Sequence, residues 1–358
     1  MAKRRLMRHL LRLTACTLLF ATLFTIGRSA RAGEKYTMKF CWVDPLDPMK
    51  QSTSAYAVTL KSEVERLSGG RIQVELYPAA QLGDQRSCIE QIAKGTLEGC
   101  NISSGVLASL YYDKLSIVDM PFLFSSREHA ARALDVRQPL IKGMVEECAA
   151  ETGIRILNLA PFGPRHITNN KRPIRTPDDM KGLKIRTMEI IPHMKLMQAL
   201  GATPTPIPFI ELYTSLQTGV VDGQENPLQN IEVQRFYQVQ KYLTISNHVI
   251  GIGGNLISEK WFKSLPDDLK VAVVEGDRVA QLVYNGFGAL LDAMGTDSLV
   301  KHGMEVYRPT AEELEQFKAV SIPFVREYME EELGKEFVEQ FMTLVEQTRE
   351  SFVKEALE

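Results

Sequence analysis

The sequence lacks the short motifs that mark most catalytic and metal sites. Its 6 histidines form no H-E-x-x-H pair and its 5 cysteines form no C-x-x-C pair, so zinc and thiol-redox sites have no support. There is no G-x-S-x-G turn and no Walker A loop, and residues 251–254 (GIGG) lack the last glycine and the following helix of a dinucleotide-binding turn. We therefore predict that the protein is not an enzyme and that it uses no cofactor or metal ion.

Positive charge is concentrated in the first 32 residues and is scarce afterwards. That segment holds seven Lys and Arg and no acid, so the remainder has 35 Lys and Arg against 44 Asp and Glu, a net charge of −9. No run of Lys or Arg follows Arg31. Binding to nucleic acid needs a basic face, which this acidic body does not offer. An anionic ligand would therefore need a local basic site.

The same N-terminal segment has the three parts of a signal peptide. A basic start precedes the uncharged residues 13–26, and a small-x-small triplet (ARA, 30–32) precedes Gly33. We predict a signal peptide over 1–32, export to the periplasm and cleavage after Ala32. An uncleaved membrane anchor is an alternative, although 14 residues fall short of the roughly 20 that a span needs. A lipid on Cys16 (LTAC, 13–16) is another, although most of the apolar stretch follows that cysteine.

Four cysteines remain after the signal peptide: Cys41, Cys88, Cys100 and Cys148. In an oxidising compartment they allow two disulfides in three pairings, and buried free thiols fit the sequence equally well.

Hydrophobic periodicity predicts a β-α-β-α-β order at the start of the exported chain. Alternation indicates strands over 36–43, 71–77 and 98–103, and apolar residues at helical spacing indicate helices over 52–67 and 85–94. This order is typical of an open parallel sheet with helices on its faces.

The rest of the chain continues the α/β pattern and ends in helices. Helices are predicted at 127–135, 138–151, 190–200 and 210–217, and extended runs at 155–160, 164–170, 184–187, 203–208 and 242–257, with a turn at Asp222-Gly223. Residues 267–301 contain no proline and predict one long helix, followed by helices over 312–332, kinked or broken at Pro323, and 335–355.

We predict an α/β fold of two lobes with the ligand in the cleft between them and long helices at the C-terminal end. Lobe I comprises 33–162 plus about 251–290, and lobe II comprises 163–250 plus about 291–358.

Two arginines stand out between residues 163 and 187. Arg165 lies in an extended segment (GPRHITNN), and Arg186 ends a segment (KGLKIRT) that follows a one-turn helix capped by Thr176 and stopped by Gly182. Arg165 fits either a cation aimed into the cleft or a surface residue paired with an acid, and Arg186 fits either such a cation or a residue on a solvent-facing side of its strand.

Three other residues allow both a structural and a functional interpretation. Asn226 precedes Pro227 and a helical run, which suits a helix N-cap or a contact with an anion at the helix start. Phe209 suits a core position, and Trp42 suits either the core or the cleft wall.

Together with the export signal, four longer segments carry a specific resemblance. They read SGGRIQVELYPAAQLGD, LSIVDMPFLF, GPRHITNNKRPIRTPDDMKGLKIRT and ALGATPTPIPFIELYTSLQTGVVDGQENP. The sequence resembles the periplasmic solute-binding proteins of TRAP transporters, the DctP type, over essentially the whole exported chain. The resemblance implies a protein that closes around a small organic-acid anion and delivers it to a membrane-embedded permease driven by an ion gradient.

The resemblance also implies roles for individual residues. Arg186 would hold the ligand carboxylate, Arg165 would assist, and Asn226 would hydrogen-bond the same group, while Phe209 would pack on the ligand. The variable part of the pocket would come from residues 42–44 beginning at Trp42, from Gln85 and from Ser103. These positions carry few charges, which argues against a large polyol sugar acid. Alternatives are a binder of a sulfonate or another small solute, and a receptor that passes the ligand signal to a sensor protein.

Overall fold

The computed structural model describes residues 34–357, and the predicted signal peptide lies outside them. The described residues from Thr37 onward form one compact unit. None of the described helices combines the length and the apolar character needed to cross a membrane.

The first five elements follow the predicted order. They are β1 (Tyr36–Cys41), α1 (Ser52–Leu67), β2 (Ile72–Tyr77), α2 (Gln85–Lys94) and β3 (Gly99–Ser103). Strands β1 and β3 are parallel neighbours, as the β-α-β order predicts. The bounds of α2 follow from its caps: the Asp84 side chain accepts a hydrogen bond from the Ser87 amide, and Gly95 adopts the left-handed conformation that ends the helix.

A long strand, β4 (Ile154–Asn169), runs through the centre of the sheet. Its first part, up to Pro164, pairs with β9 (Ile250–Ser258), and its last part, from Arg165, pairs with β7 (Gly223–Pro227). The prediction of two separate extended segments here was wrong, because β4 is one continuous strand. Register shifts near Asn158 and Pro161 absorb the irregular residues, so that the pairing with β9 resumes after each of them. Since β9 is antiparallel to both β3 and β4, the sheet is mixed, whereas its first strands predicted a parallel one.

The other side of the sheet is built on β5 (Lys184–Thr187), which is parallel to both β6 (Thr203–Pro206) and β7. The strand order is β2-β1-β3-β9-β4-β7-β5-β6, and β8 (Tyr242–Thr244) pairs with β4 and with β10 (Glu305–Tyr307). Two predictions were wrong here. Gly223 begins β7 instead of ending a turn, and the run over 242–257 is divided between β8 and β9.

The remaining shorter helices connect the strands. They are α3 (Ser104–Leu110), α4 (Arg127–Ala133), α5 (Pro139–Thr152), α6 (Ile191–Ala199), α7 (Leu212–Gln217), α8 (Leu228–Val233) and α9 (Glu259–Ser264), with 3₁₀ turns at Asp113–Asp119, Pro177–Met180, Phe209–Glu211 and Phe236–Gln238.

Three long helices close the chain: α10 (Asp267–Lys301), α11 (Ala311–Leu333) and α12 (Lys335–Leu357). The prediction of one helix over 267–301 is confirmed. Of the kink or break predicted at Pro323, the break is wrong, because α11 continues through the proline. Helix α10 packs closely on α1, since a Cβ on Gly276 would come within 2.7 Å of Val64.

The apolar interior has one large and one smaller cluster of buried side chains. The large cluster includes Phe317 of α11 and Phe341 of α12, so the C-terminal helices pack on it. The smaller cluster lies around Leu216, Ile231 and Leu299. Both clusters support the strand ends from which the candidate site is built.

Candidate functional site

Two neighbouring cavities lie at the carboxyl ends of the parallel strands, where open α/β sheets generally bind ligands. They enclose about 340 and about 410 Å³ of free space, counting the part open to solvent, and share Val43, Gln85, Met188 and Phe209 as lining residues. Of the predicted site residues, Arg186 lines the first cavity, Arg165, Asn226 and Ser103 line the second, and Gln85 and Phe209 line both. The fold therefore brings six of the seven predicted residues together.

Arg186 is a buried cation without a salt-bridge partner in the part of the chain that the structure describes. A capping box of Thr176 and Asp179 begins the 3₁₀ turn before β5, as predicted, and fixes how the chain enters that strand. The Arg186 side chain is 1% exposed, so the alternative of a solvent-facing arginine is wrong. Its Nε donates to the Ile207 carbonyl at 2.8 Å, whereas its Nη1 has no hydrogen-bond partner among the described residues.

The electrostatic state of Arg186 follows from this burial. Loss of solvent lowers the pKa of the guanidinium to about 9; Glu225 opposes this shift, the neighbouring Arg165 adds to it, and Glu189 also opposes it. The group therefore remains charged at neutral pH. Its Cζ lies 5.8 Å from the ring centre of Phe209, a contact that favours a cation. Arg186 thus brings to the first cavity a positive charge that no carboxylate of residues 34–357 pairs in a salt bridge.

Arg165 differs because its charge is already paired. Its Nε and Nη2 donate to the two carboxylate oxygens of Glu225, the second at 2.9 Å, and Nη2 also reaches the Glu225 carbonyl at 2.6 Å. Pairing with an acid was one of the two sequence interpretations, but the pair is buried instead of lying at the surface. Burial by itself raises the pKa of Glu225, yet Arg165 and His193 hold that pKa well below its ordinary value.

Glu225 is the centre of a buried polar network that sequence reasoning missed. His193 Nδ1 and His248 Nε2 each lie 3.3 Å from its carboxylate, and His193 Nε2 lies 3.1 Å from Asp119 Oδ1. Burial lowers the pKa of His193, but the opposing effect of Glu225 and Asp119 is larger and raises that pKa to about 9. Burial lowers the pKa of His248. These residues are far apart in sequence, so no spacing signal could reveal them.

The histidines of this network do not form a metal site. Within residues 34–357, no group of three or more His, Cys, Asp or Glu side chains is arranged to hold a metal ion.

Asn226 lies in strand β7, opposite His166 of β4. Its Nδ2 donates to Gln224 Oε1 at 2.5 Å, and its Oδ1 accepts from Arg165 Nη2 at 3.3 Å. The helix N-cap interpretation is wrong, because Pro227 occupies the cap position of α8 and Asn226 is held in the sheet. Its side chain is free of that capping role and lines the second cavity.

Phe209 begins the 3₁₀ turn that precedes α7. The ring is half-buried, with one part lining both cavities and its edge packed against Phe236 at 6.2 Å between ring centres. It therefore serves as a cavity wall and also as an anchor to the smaller apolar cluster.

The opposite wall comes from the first half of the chain. Gln85, the first residue of α2, accepts a hydrogen bond from the Ser103 amide at 2.7 Å, so these two predicted residues contact each other. Trp42 is 1% exposed beside Phe40 and lines neither cavity, which places it in the core. The two residues that follow it, Val43 and Asp44, line the second cavity.

Asp44 is a buried acid without a basic partner among its hydrogen bonds. Its Oδ1 accepts from Asn230 Nδ2 and from Gln234 Nε2, each at 3.2 Å, and burial raises its pKa. Asn101 lines the same cavity and is oriented by a 2.7 Å hydrogen bond to Asn255. The sequence carried no signal for Asn101 or Asn230, because an isolated asparagine in a strand or helix has no distinguishing pattern.

The chain matches known proteins over most of its length. The sequence model of DctP, bacterial extracellular solute-binding protein, family 7, matches residues 47–332. A solute-binding protein of Verminephrobacter eiseniae is 35% identical over 282 residues, which are 79% of this chain and 82% of that protein.

Solved structures agree with this match. The sugar acid binding protein DctPAm of Advenella mimigardefordensis, in complex with galactonate, has a TM-score of 0.82 at 30% identity and covers 88% of this chain and 99% of its own. A TRAP periplasmic solute-binding protein of Polaromonas sp., bound to D-erythronate, has a TM-score of 0.79 at 32% identity and covers 86% of this chain and 98% of its own. The chain therefore belongs to the DctP family of TRAP solute-binding proteins and has their two-lobed α/β fold.

Proposed function

We propose that this protein is exported to the periplasm, captures a small organic-acid anion between its lobes and delivers the anion to a membrane-embedded TRAP permease. The observation that carries the proposal is the buried Nη1 of Arg186, which has no partner among the described residues and belongs to a side chain lining a cavity. A buried charge without a partner is strongly unfavourable. A ligand carboxylate supplies that partner through two parallel, charge-assisted hydrogen bonds to the planar guanidinium.

The other site residues have complementary roles in this proposal. Asn226 and Arg165 orient the same carboxylate, and the Phe209 ring packs on the carbon skeleton. Gln85 and Ser103 contact the ligand from the opposite wall. Trp42 supports the Val43–Asp44 segment from the core.

The same arrangement supports a division of the chain into two lobes. We propose lobe I at 33–162 plus about 251–290 and lobe II at 163–250 plus about 291–358. Lobe I then contributes Gln85 and Ser103 and lobe II contributes the two arginines, so a bound ligand draws the lobes together.

The far end of the second cavity favours a ligand with hydroxyl groups. Asp44, Asn101 and Asn230 offer hydrogen-bond partners there, and no cation among the lining residues is left to pair a second carboxylate, since Arg165 is paired with Glu225. A second ligand carboxylate would also lie near the Asp44 side chain. The relatives that hold galactonate and D-erythronate bind acids of this hydroxylated kind.

This proposal reverses the sequence-based argument against a polyol sugar acid. Residues 42–44, Gln85 and Ser103 carry few charges, but neutral amide side chains suit ligand hydroxyl groups better than charged side chains do. A dicarboxylate remains the second candidate, because a structurally similar protein of Shewanella oneidensis holds succinate. A sulfonate is a third, because it also fits a guanidinium fork.

A thermal-shift and calorimetric series tests the ligand class. Galactonate and D-erythronate are compared with succinate, with methanesulfonate and with galactono-1,4-lactone, which keeps hydroxyl groups but has no carboxylate. We expect the hydroxy acids to stabilise the protein, by about 2.7 kcal/mol at a hundred times the Kd.

The controls separate the parts of the proposal. Binding of the lactone as tight as that of galactonate would refute the carboxylate site at Arg186. Preference for succinate would retain that site and refute the hydroxyl preference. Recovery of the acid unchanged after long incubation is expected for a binding protein that has no enzymatic activity.

A further inference from the structure

We propose that Cys41 and Cys88 form a disulfide bond in the exported protein, while Cys100 and Cys148 keep free thiols. The Sγ atoms of Cys41 and Cys88 lie 3.0 Å apart, and both residues are 1% exposed. A disulfide has an S–S distance of about 2.05 Å, so small rotations of the two side chains are enough to form the bond. The inference relies on the export in the proposed function, because disulfides persist in oxidising compartments.

The two sulfurs are held by rigid elements. Cys41 is the last residue of β1, which is fixed by pairing with β3, and Cys88 lies in the first turn of α2, which is fixed by the Asp84 cap.

The other cysteines are less suited to pairing. Cys100 is the register partner of Cys41 on β3, where the strand spacing of about 4.8 Å is near the lower limit of the Cα separations that disulfides tolerate. Cys148 lies on α5, where its Sγ is 3.7 Å from Thr152 Oγ1. The sequence allowed two disulfides, whereas these contacts favour one.

The proposed bond would brace one wall of the ligand site. It joins residues 47 positions apart and links the strand that leads to Val43 and Asp44 with the helix that begins at Gln85. All three of these residues line the second cavity. Fixing them before the ligand arrives reduces the ordering that binding requires.

The chemistry is a thiol–disulfide exchange. The two thiols lose two protons and two electrons as one S–S bond forms, and a protein or small-molecule disulfide oxidant is reduced to two thiols. Hydrogen bonding with Cys100 raises the pKa of Cys41, and hydrogen bonding with Cys41 together with burial raises the pKa of Cys88. Because the thiolate is the reactive form, we expect the bond to form during folding and only slowly in the folded, reduced protein.

Peptide mapping tests the pairing directly. The full chain is expressed with its own leader in a bacterial host, and the periplasmic fraction is denatured and alkylated with iodoacetamide without reduction. Trypsin places each cysteine on its own peptide: residues 40–50, 87–94, 95–114 and 143–155. We expect peptide 40–50 to be linked to peptide 87–94, with the other two alkylated.

Two outcomes would overturn the proposal: four alkylated cysteines in protein recovered from the periplasm, or a cross-link that involves Cys100 or Cys148. If the chain remains in the cytoplasm, the export proposal fails, and refolding with oxidised glutathione tests the pairing on its own.

Thermal melting gives a second measurement. We expect refolding under reducing conditions to lower the Tm of the wild type and of the matched control Cys148→Ser, but not to lower the Tm of Cys88→Ser further. An equal drop in all three proteins would contradict a Cys41–Cys88 bond. If Cys88→Ser does not fold, the peptide map of the wild type still decides.

Discussion

Arg165 and Glu225 form a buried two-point ion pair, whereas the guanidinium of Arg186, on the strand that pairs with the strand of Glu225, has no such partner among residues 34–357. The two arginines therefore differ in how their charges are paired, although each lines one of two neighbouring cavities. The guanidinium of Arg165 is held by a carboxylate of the protein, whereas in the proposed function the guanidinium of Arg186 is paired by the ligand. We therefore expect substitution of Arg186 to weaken ligand binding without lowering stability, and substitution of Glu225 to lower stability.

Replacing Arg186 should abolish binding without destabilising the free protein. In Arg186→Met, an apolar side chain of similar length replaces an uncompensated buried charge, so we expect a free energy of unfolding at least equal to that of the wild type. Affinity for galactonate should fall by roughly 3–5 kcal/mol. Calorimetry and urea unfolding measure the two effects, with the exposed neighbour change Lys184→Ala as the control. An unchanged Kd would remove Arg186 from the site.

Replacing Glu225 should instead destabilise the fold itself. Glu225→Gln leaves the buried Arg165 and His193 without their shared carboxylate, and breaking such a pair costs about 3–5 kcal/mol. The exposed change Glu211→Gln is the control in the same urea titration. A loss below about 0.5 kcal/mol, the range of ordinary surface substitutions, would show that the network does not stabilise the fold.

The network should also make stability depend on pH. The folded-state pKa of His193 is raised to about 9, so its stabilising contribution is complete below its unfolded value of about 6.5 and is lost as the pH rises through 9. We expect the free energy of unfolding to fall over that window, by an amount on the order of 3 kcal/mol. His193→Gln should remove this dependence, and the exposed His302→Gln should retain it.

The acid side of the profile depends on Glu225. Its folded-state pKa is depressed, so its contribution is present above its unfolded pKa and is lost as the pH falls through the folded value. Urea unfolding at pH values on both sides of neutrality should therefore give a maximum between the two limbs. A profile that is flat from about pH 6.5 to 9 would argue against a charged His193.

Replacing Asp44 should change which ligands are accepted. In Asp44→Asn, a carboxyl acceptor for a ligand hydroxyl is lost, and a hydrogen bond of ordinary strength contributes about 0.5–1.5 kcal/mol. We expect weaker binding of galactonate and a relative gain for succinate, because the repelling carboxylate is gone. Calorimetry with both acids checks this, with the exposed change Asp178→Asn as the control. Equal losses for both ligands would mean that Asp44 has only a structural role.

Local sequence signals predicted the parts of the fold whose causes are local. Helix α1 and the long helix α10 occupy the predicted residues, because apolar spacing and the positions of glycine and proline set helix ends within a few residues. The Thr176 cap was visible for the same reason. Long family motifs identified Arg186 and Arg165 as site candidates, and the structure places both at the cavities.

Tertiary structure decided what depends on contacts between distant segments. Asn226 has the sequence context of a helix cap, but pairing of β7 with β4 makes it extended and turns its amide to the cavity. Glu225, His193, His248 and Asp119 meet only because β7, α6 and the segments around them converge in space. The sequence by itself determined the class of protein and marked Arg165 and Arg186 as candidate site residues. Only the folded chain determined which arginine is paired with a buried carboxylate and which lines a cavity with an unpartnered nitrogen, because burial and the distance between charges are properties of the packed structure.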